Sequence, residues 1–68
     1  MVRIRSTVTD RLYEQESMVY ISNPVQIAKY LAHHCTLYDL LADDEKLVGV
    51  FSKKETRDVY EKWRSKTL

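Results

Sequence analysis

The 68-residue chain holds a single glycine, Gly49, a single proline, Pro24, and a single cysteine, Cys35. Each scarcity excludes something. One glycine cannot build a phosphate-cradling loop, which needs several positions where backbone amides turn onto an anion. One cysteine cannot close an internal disulfide, and the N-terminal MVRIRSTVTD carries charges where a secretory leader needs an apolar stretch. Apolar runs are short, as at residues 18–21, against the roughly 20 residues needed to span a bilayer. A cytoplasmic protein is therefore expected. The 44% hydrophobic fraction, with so little Gly and Pro, predicts an ordered chain, because disordered segments lack the apolar area that offsets chain entropy.

A strong charge of one sign is also missing. The net charge of +1 nonetheless hides a division along the chain. Residues 1–11 set Arg3, Arg5 and Arg11 against Asp10. Residues 12–51 set Lys29 and Lys46 against Glu14, Glu16, Asp39, Asp43, Asp44 and Glu45. Residues 52–68 set six bases against Glu55, Asp58 and Glu61, so both ends are basic and the middle is acidic. That division suits self-complementary association as well as it suits a polyanion.

A chain this short forms a single small domain, residues 1–68, whose core leaves only roughly 3 to 5 kcal/mol of net stability. Partner burial or a homodimer would add to that. The first ten residues are expected to be loose or used in self-association.

Val2, Ile4, Val8 and Leu12 are spaced by even numbers, which predicts one strand within residues 2–13. Residues 18–21 read as a second. Asn23 then suits an N-cap, Pro24 the first helical position, and Gln26 the residue that closes the cap. The helix runs to about His34 with Ile27, Ala28 and Leu31 as its apolar stripe and Tyr30 beside it. No glycine follows to end it in the left-handed region. Residues 36–51 read as a hairpin whose loop is Asp43, Asp44, Glu45 and Lys46. Gly49, inside its second strand, marks a bulge or a close approach, with Tyr38 or Trp63 as the expected neighbour.

The clearest stretch is KLVGVFSKKETRDVYEKWRSK, residues 46–66, a buried strand running into a helix. Ser52 as N-cap and Glu55 three residues on form a capping box. Thr56, Val59, Tyr60 and Trp63 share one helical face, while Lys54, Arg57, Asp58, Glu61, Lys62 and Arg64 face water. The predicted fold is α+β: a small antiparallel sheet of three to four short strands with two helices on one face, in the order (β)-β-α-β-β-α.

Catalytic groups are scarce. His33, His34 and Cys35 form the one soft-ligand cluster, but consecutive helical side chains diverge by about 100° and cannot converge on one ion. A Cys/His nucleophile would also need an orienting group and an oxyanion pocket. Asp43, Asp44 and Glu45 lack the alternating ligands and central glycine of a calcium loop. No catalytic, metal or cofactor-binding residue is expected, and the chain is read as a non-enzyme. Five tyrosines and the exposed bases instead suggest contacts, since tyrosine is favoured at interfaces. The candidate contact surface is Arg3, Arg5, Tyr30, Lys53, Lys54, Arg57 and Arg64.

The order of strand, NPVQIAKYL helix, acidic-turn hairpin and VFSKKETRDVYEKW helix resembles a family of short uncharacterised bacterial and phage proteins with a β-α-β-β-α plan. Ala28, Tyr30, Leu31, Val50, Phe51, Glu55, Tyr60 and Trp63 carry the resemblance. Where that family has a glycine after its first helix, this chain has His34 and Cys35. The resemblance implies a small accessory protein and no site residues. The expected function is a non-enzymatic binding or adaptor protein of phage or mobile-element type, homodimeric and acting by protein-protein contact. Its alternative is a nucleic-acid-binding module using Arg3, Arg5, Lys53, Lys54 and Arg57.

Overall fold

A computed structural model describes residues 2–68. In chain order the elements are β1 (Arg3–Arg5), β2 (Leu12–Glu14), β3 (Met18–Ile21), α1 (Pro24–Ala32), β4 (Asp39–Asp43), β5 (Lys46–Ser52) and α2 (Lys53–Arg64). A turn of 3-10 helix, Gln15–Ser17, joins β2 to β3. The fold is α+β. β3, β5 and β4 pair antiparallel in that order, and β1 and β2 pair in a separate two-stranded sheet. The N-terminal stretch is thus two strands forming a hairpin of their own, where the even spacing predicted one strand. Three-residue strands are too short to show a period, and Asp10, at φ 60°, makes the turn without a glycine.

Side chains alternate across a strand, so the register sorts residues by face. Val19 lies opposite Phe51, Ile21 and Leu40 flank Gly49, and Ala42 faces Leu47. This is the helix face, where Phe51, Ile21, Tyr30 and Cys35 form a core closed by Ile27, Leu37, Val59 and Trp63. Tyr30 and Phe51 meet edge to face with ring centroids 5.3 Å apart. Met18, Val50 and Asp39 lie on the other face. There the N-terminal hairpin brings Tyr13 and Ile4 against Val50, Met18 and Tyr38.

Local chemistry sets the ends of both helices. Asn23 Oδ1 accepts from the Val25 and Gln26 amides at 3.0 and 3.4 Å, with Pro24 in the first turn. The Gln26 side chain does not close this cap; its Nε2 donates to the Tyr30 hydroxyl at 3.0 Å. Ser52 Oγ accepts from the Glu55 amide at 3.4 Å. The predicted capping box is half formed, because the Glu55 carboxylate instead takes the Thr36 amide and, at 3.3 Å, the Thr36 hydroxyl. Both helices close in a Schellman motif. After α1, the Cys35 amide donates to Tyr30 C=O and the His34 amide to Leu31 C=O, each at 3.0 Å. After α2, the Thr67 and Lys66 amides donate to Lys62 C=O and Trp63 C=O at 2.9 and 3.1 Å.

The left-handed residues of those motifs are His34 (φ 64°) and Lys66 (φ 61°), and the tip of the β4–β5 hairpin adds Asp44 (φ 49°) and Glu45 (φ 70°). Two consecutive positive φ values with Asp43 paired to Lys46 make a two-residue turn of the I′ kind. The glycine serves another purpose. A Cβ on Gly49 would lie 3.0 Å from Phe51 Cε2 and 3.3 Å from Ile27 Cγ1, so its bareness lets α1 settle on the sheet. Pairing runs continuously through Gly49 on both sides, so there is no bulge there, and its close neighbours are Ile27 and Phe51 in place of Tyr38 or Trp63.

Candidate functional site

A polar knot fastens the N-terminal hairpin to the sheet. The Asp39 carboxylate is buried and accepts from the Ser6 hydroxyl at 2.6 Å, the Tyr13 hydroxyl at 2.8 Å and the Leu40 amide at 2.8 Å. Ser6 Oγ in turn accepts from the Val8 and Thr9 amides, both at 3.0 Å, and Thr9 Oγ1 donates to Tyr38 C=O at 2.6 Å. Burial pushes the Asp39 carboxyl up, but donation from Ser6, Tyr13 and the Leu40 amide overcomes it and holds the group below the ordinary carboxylate range. Tyr13 is pushed up to about 12, first by burial and then by the carboxylate it faces.

This knot has the residue types of a nucleophile and its partner without the freedom of one. Ser6 gives its proton to Asp39 and both lone pairs to backbone amides, so none remains to attack a substrate. In the sequence Asp39 stands out only as one of the acids of the middle segment. Its hydroxyl partners stand 33 and 26 residues away, beyond any local pattern.

His33, His34 and Cys35 are taken up in ending α1. His33 Nδ1 lies 2.9 Å from Lys29 C=O, His34 turns the chain, and Cys35 is buried, which pushes its thiol up before the nearby Glu55 adds to the shift. Among the described residues, no three of His, Cys, Asp and Glu converge at metal-ligand spacing. No helix among them is long and apolar enough to cross a membrane.

The candidate contact residues do not form one surface. Tyr30 must be removed from it: the residue is 1% exposed and meets Phe51 edge to face in the core. Lying beside the apolar stripe points it toward α2 and the sheet, so the flank of α1 is its most buried part. Arg3 and Arg5 are exposed on the hairpin layer, at 3.7 Å from Glu14 and 3.5 Å from Asp10. Lys53, Lys54, Arg57 and Arg64 belong to α2, in the helix layer on the other side of the sheet. Arg64 pairs with Glu61 at 2.7 Å, while Lys53, Lys54 and Arg57 have no carboxylate within ion-pair distance among the described residues.

Two concavities flank α1, and the sequence showed neither. On one side a groove of about 590 Å³ runs between α1 and the β4–β5 hairpin, lined by Pro24, Ile27, Ala28, Leu31, Leu37, Leu40 and Leu47, with Ser22, Glu45 and Lys46 among its borders. The stripe read as core, Ile27, Ala28 and Leu31, therefore lines an open groove, and Leu31 is 43% exposed. α2 covers the Phe51 end of the sheet, and among the described residues nothing covers the Leu47 end, where Leu47 is 59% exposed. On the other side a cleft of about 360 Å³ follows the free edge of β3, lined by Tyr20, Ser22, Asn23, Gln26, Tyr30 and Tyr60 beside Val19 and Ile21. Tyr60, expected to pack on the sheet, is 47% exposed and stands at the mouth of this cleft. Comparison with protein-family models, curated proteins and solved structures finds no match to this chain.

Proposed function

We propose that the protein is a small non-enzymatic contact module that acts by protein-protein contact and forms a homodimer through the groove between α1 and the β4–β5 hairpin. The observation that carries this reading is the uncovered half of the apolar stripe. Ala28, Leu31, Leu40 and Leu47 have the side chains of a core and the surroundings of a surface. The chain exposes 5030 Å² at a mass of 8.1 kDa, where a folded monomer of that mass usually exposes about 4500 Å². A second copy is the occupant whose charge fits: the groove's borders carry one acid and one base, Glu45 and Lys46, and a two-fold axis sets each against the other's partner. The resemblance to short bacterial and phage chains favours an accessory role of phage or mobile-element type, and the unpaired Cys35 favours the cytoplasm.

Light scattering after size exclusion tests the reading. A species of twice 8.1 kDa is expected, and Leu47→Asp or Leu31→Asp, both at exposed positions, should return it to monomer with an unchanged circular dichroism spectrum. A monomer at millimolar concentration, or a dimer indifferent to both variants, would overturn it.

A further inference from the structure

The three-stranded sheet ends in β4 on one side and β3 on the other, and only β4 is blunted. There the Asp39 carboxylate takes the Leu40 amide at 2.8 Å, and the strand begins and ends in acids, which discourage a further strand from pairing. β3, whose residues are Met, Val, Tyr and Ile, has no charge, proline or bulge. Its free edge can be assigned to particular atoms. Val50 C=O accepts from the Tyr38 amide at 2.8 Å and so points to β4, which makes Val50 and its β3 partner Tyr20 a pair without mutual hydrogen bonds. Tyr20 therefore turns its N–H and C=O outward, and neither has a partner among the described residues.

The same register sends the Tyr20 side chain to the hairpin face with Met18 and Val50, and Val19 and Ile21 to the helix face. The cleft along this edge thus receives backbone from Tyr20, and its wall is built by Asn23, Gln26, Tyr30 and Tyr60. It carries no charge and is rich in donors. Asn23 spends Oδ1 on the cap of α1 and keeps its amide nitrogen to donate. The Tyr30 hydroxyl accepts from Gln26 and has no acceptor for its own proton among the described residues.

α2 adds charge on this side. At 100° per residue Glu55 and Tyr60 leave the helix on opposite flanks, Glu55 toward Thr36 in the segment leading to β4 and Tyr60 toward the cleft. Lys53, Arg57 and Arg64 all lie within about 60° of Tyr60 around the axis. Glu61, the nearest acid to that stripe, is engaged by Arg64, so Lys53 and Arg57 are left uncompensated.

We infer that β3 takes an extended acidic peptide as a fourth, antiparallel strand of the sheet. The peptide residue opposite Tyr20 exchanges both backbone hydrogen bonds with it and lays an apolar side chain beside the Tyr20 ring, which is 43% exposed on the hairpin face. Its two neighbours turn carboxylates to the helix face, where the cleft supplies donors and α2 supplies cations. The recognised pattern is acid, apolar, acid. The N-terminal arginines take no part, because Arg3 and Arg5 lie in the hairpin layer with carboxylate partners. The groove lies on the other flank of α1, so this site serves monomer and dimer alike.

Fluorescence anisotropy with a labelled peptide of about eight residues, alternating glutamate and valine, tests the assignment. Binding that weakens with salt is expected, while a lysine-valine peptide of the same length should not bind. Arg57→Glu should weaken it about tenfold and Arg3→Glu should leave it unchanged. Methyl groups on the valine amides, which face Tyr20, should abolish binding, and methyl groups on the glutamate amides should leave it intact; these probes leave the protein unaltered. Leu47→Asp should bind as the parent chain does, which separates this site from dimerisation through the groove. No binding at about 1 mM protein, equal binding of the lysine peptide, tolerance of methylated valine amides, or an Arg3→Glu loss matching that of Arg57→Glu would each overturn the assignment.

Discussion

The two faces of the β3–β5–β4 sheet are covered by opposite means. On the helix face, α1 and α2 close over Phe51 with aliphatic and aromatic side chains, and the fit depends on shape: Gly49 is bare so that Ile27 can approach. On the other face, a hairpin of two three-residue strands has little apolar area, Tyr13 and Ile4 at most, and is held by a carboxylate that collects donors from both layers. A small layer that cannot bury enough carbon is fixed by hydrogen bonds whose cost, if left unmade, is high. Shape tolerates small errors. A buried polar cluster does not, because each missing partner strands another group without water.

Removing the centre of each face should separate the two means most clearly. Phe51→Ala opens a cavity under both helices and should cost about 4 kcal/mol, close to the whole stability of a chain this size. Asp39→Ala strands the Ser6 and Tyr13 hydroxyls and should cost about 3 kcal/mol. The distinction lies in where the loss appears. Hydrogen exchange after Asp39→Ala should accelerate first at residues 3–14, while β5 and α2 keep most of their protection; uniform acceleration would show that the hairpin is no separate layer. Phe51→Ala should accelerate exchange throughout.

Gly49→Ala addresses shape alone. One methyl group must displace the Phe51 ring or Ile27, at a cost of about 2 kcal/mol measured by urea unfolding. A neutral result would mean that α1 rides over the sheet loosely enough to absorb it, and the contrast between a shape-fitted and a hydrogen-bonded face would weaken.

These two faces were not equally legible. The helix face could be read because its signals are local: Asn23 before Pro24, Ser52 before α2, Val59 and Trp63 at helical spacing, and an acidic turn between strand patterns, although the loop expected over residues 43–46 tightens to Asp44 and Glu45 because Asp43 and Lys46 pair. Two details failed for reasons of packing. Tyr30 lay beside the stripe, which is where a second helix buries it, and Tyr60 lay within its stripe yet falls where the sheet ends. The hairpin face was opaque because Ser6, Tyr13 and Asp39 are ordinary residues until the fold brings them together. The functional candidates share that fate. Each concavity is lined from several elements, and neither the open end of the groove nor the tyrosine cleft has a linear motif.

The knot also gives the two faces different responses to pH. Asp39 titrates below its ordinary range when folded, so its contribution is present above about pH 4, the unfolded value, and is lost as pH falls through the folded one. Tyr13 has the opposite sign: its folded value is raised from 10.0 to about 12, so its contribution is complete below pH 10 and is lost as pH climbs toward 12. Tyr13→Phe should cost about 1 kcal/mol at neutral pH and flatten the alkaline limb of the urea midpoint. The helix-face variant Gly49→Ala should lower the curve at every pH without changing its shape.

The smallest effect concerns how the helix layer is finished. His34 sits at φ 64° in the Schellman turn after α1, where an L side chain is crowded and glycine is not. His34→Gly removes that strain but frees the unfolded chain, and the balance should favour the folded state by about 0.5 kcal/mol. The His34 amide bond to Leu31 C=O needs no side chain, and neither does the Cys35 amide bond to Tyr30 C=O, so the turn itself should persist. Thermal unfolding of His34→Gly beside Glu45→Gly, in the hairpin turn at φ 70°, would show whether the gain is general to left-handed positions. A loss at His34 with a gain at Glu45 would mean that the imidazole supports the helix layer through contacts beyond its backbone, and that this face too depends on a polar side chain.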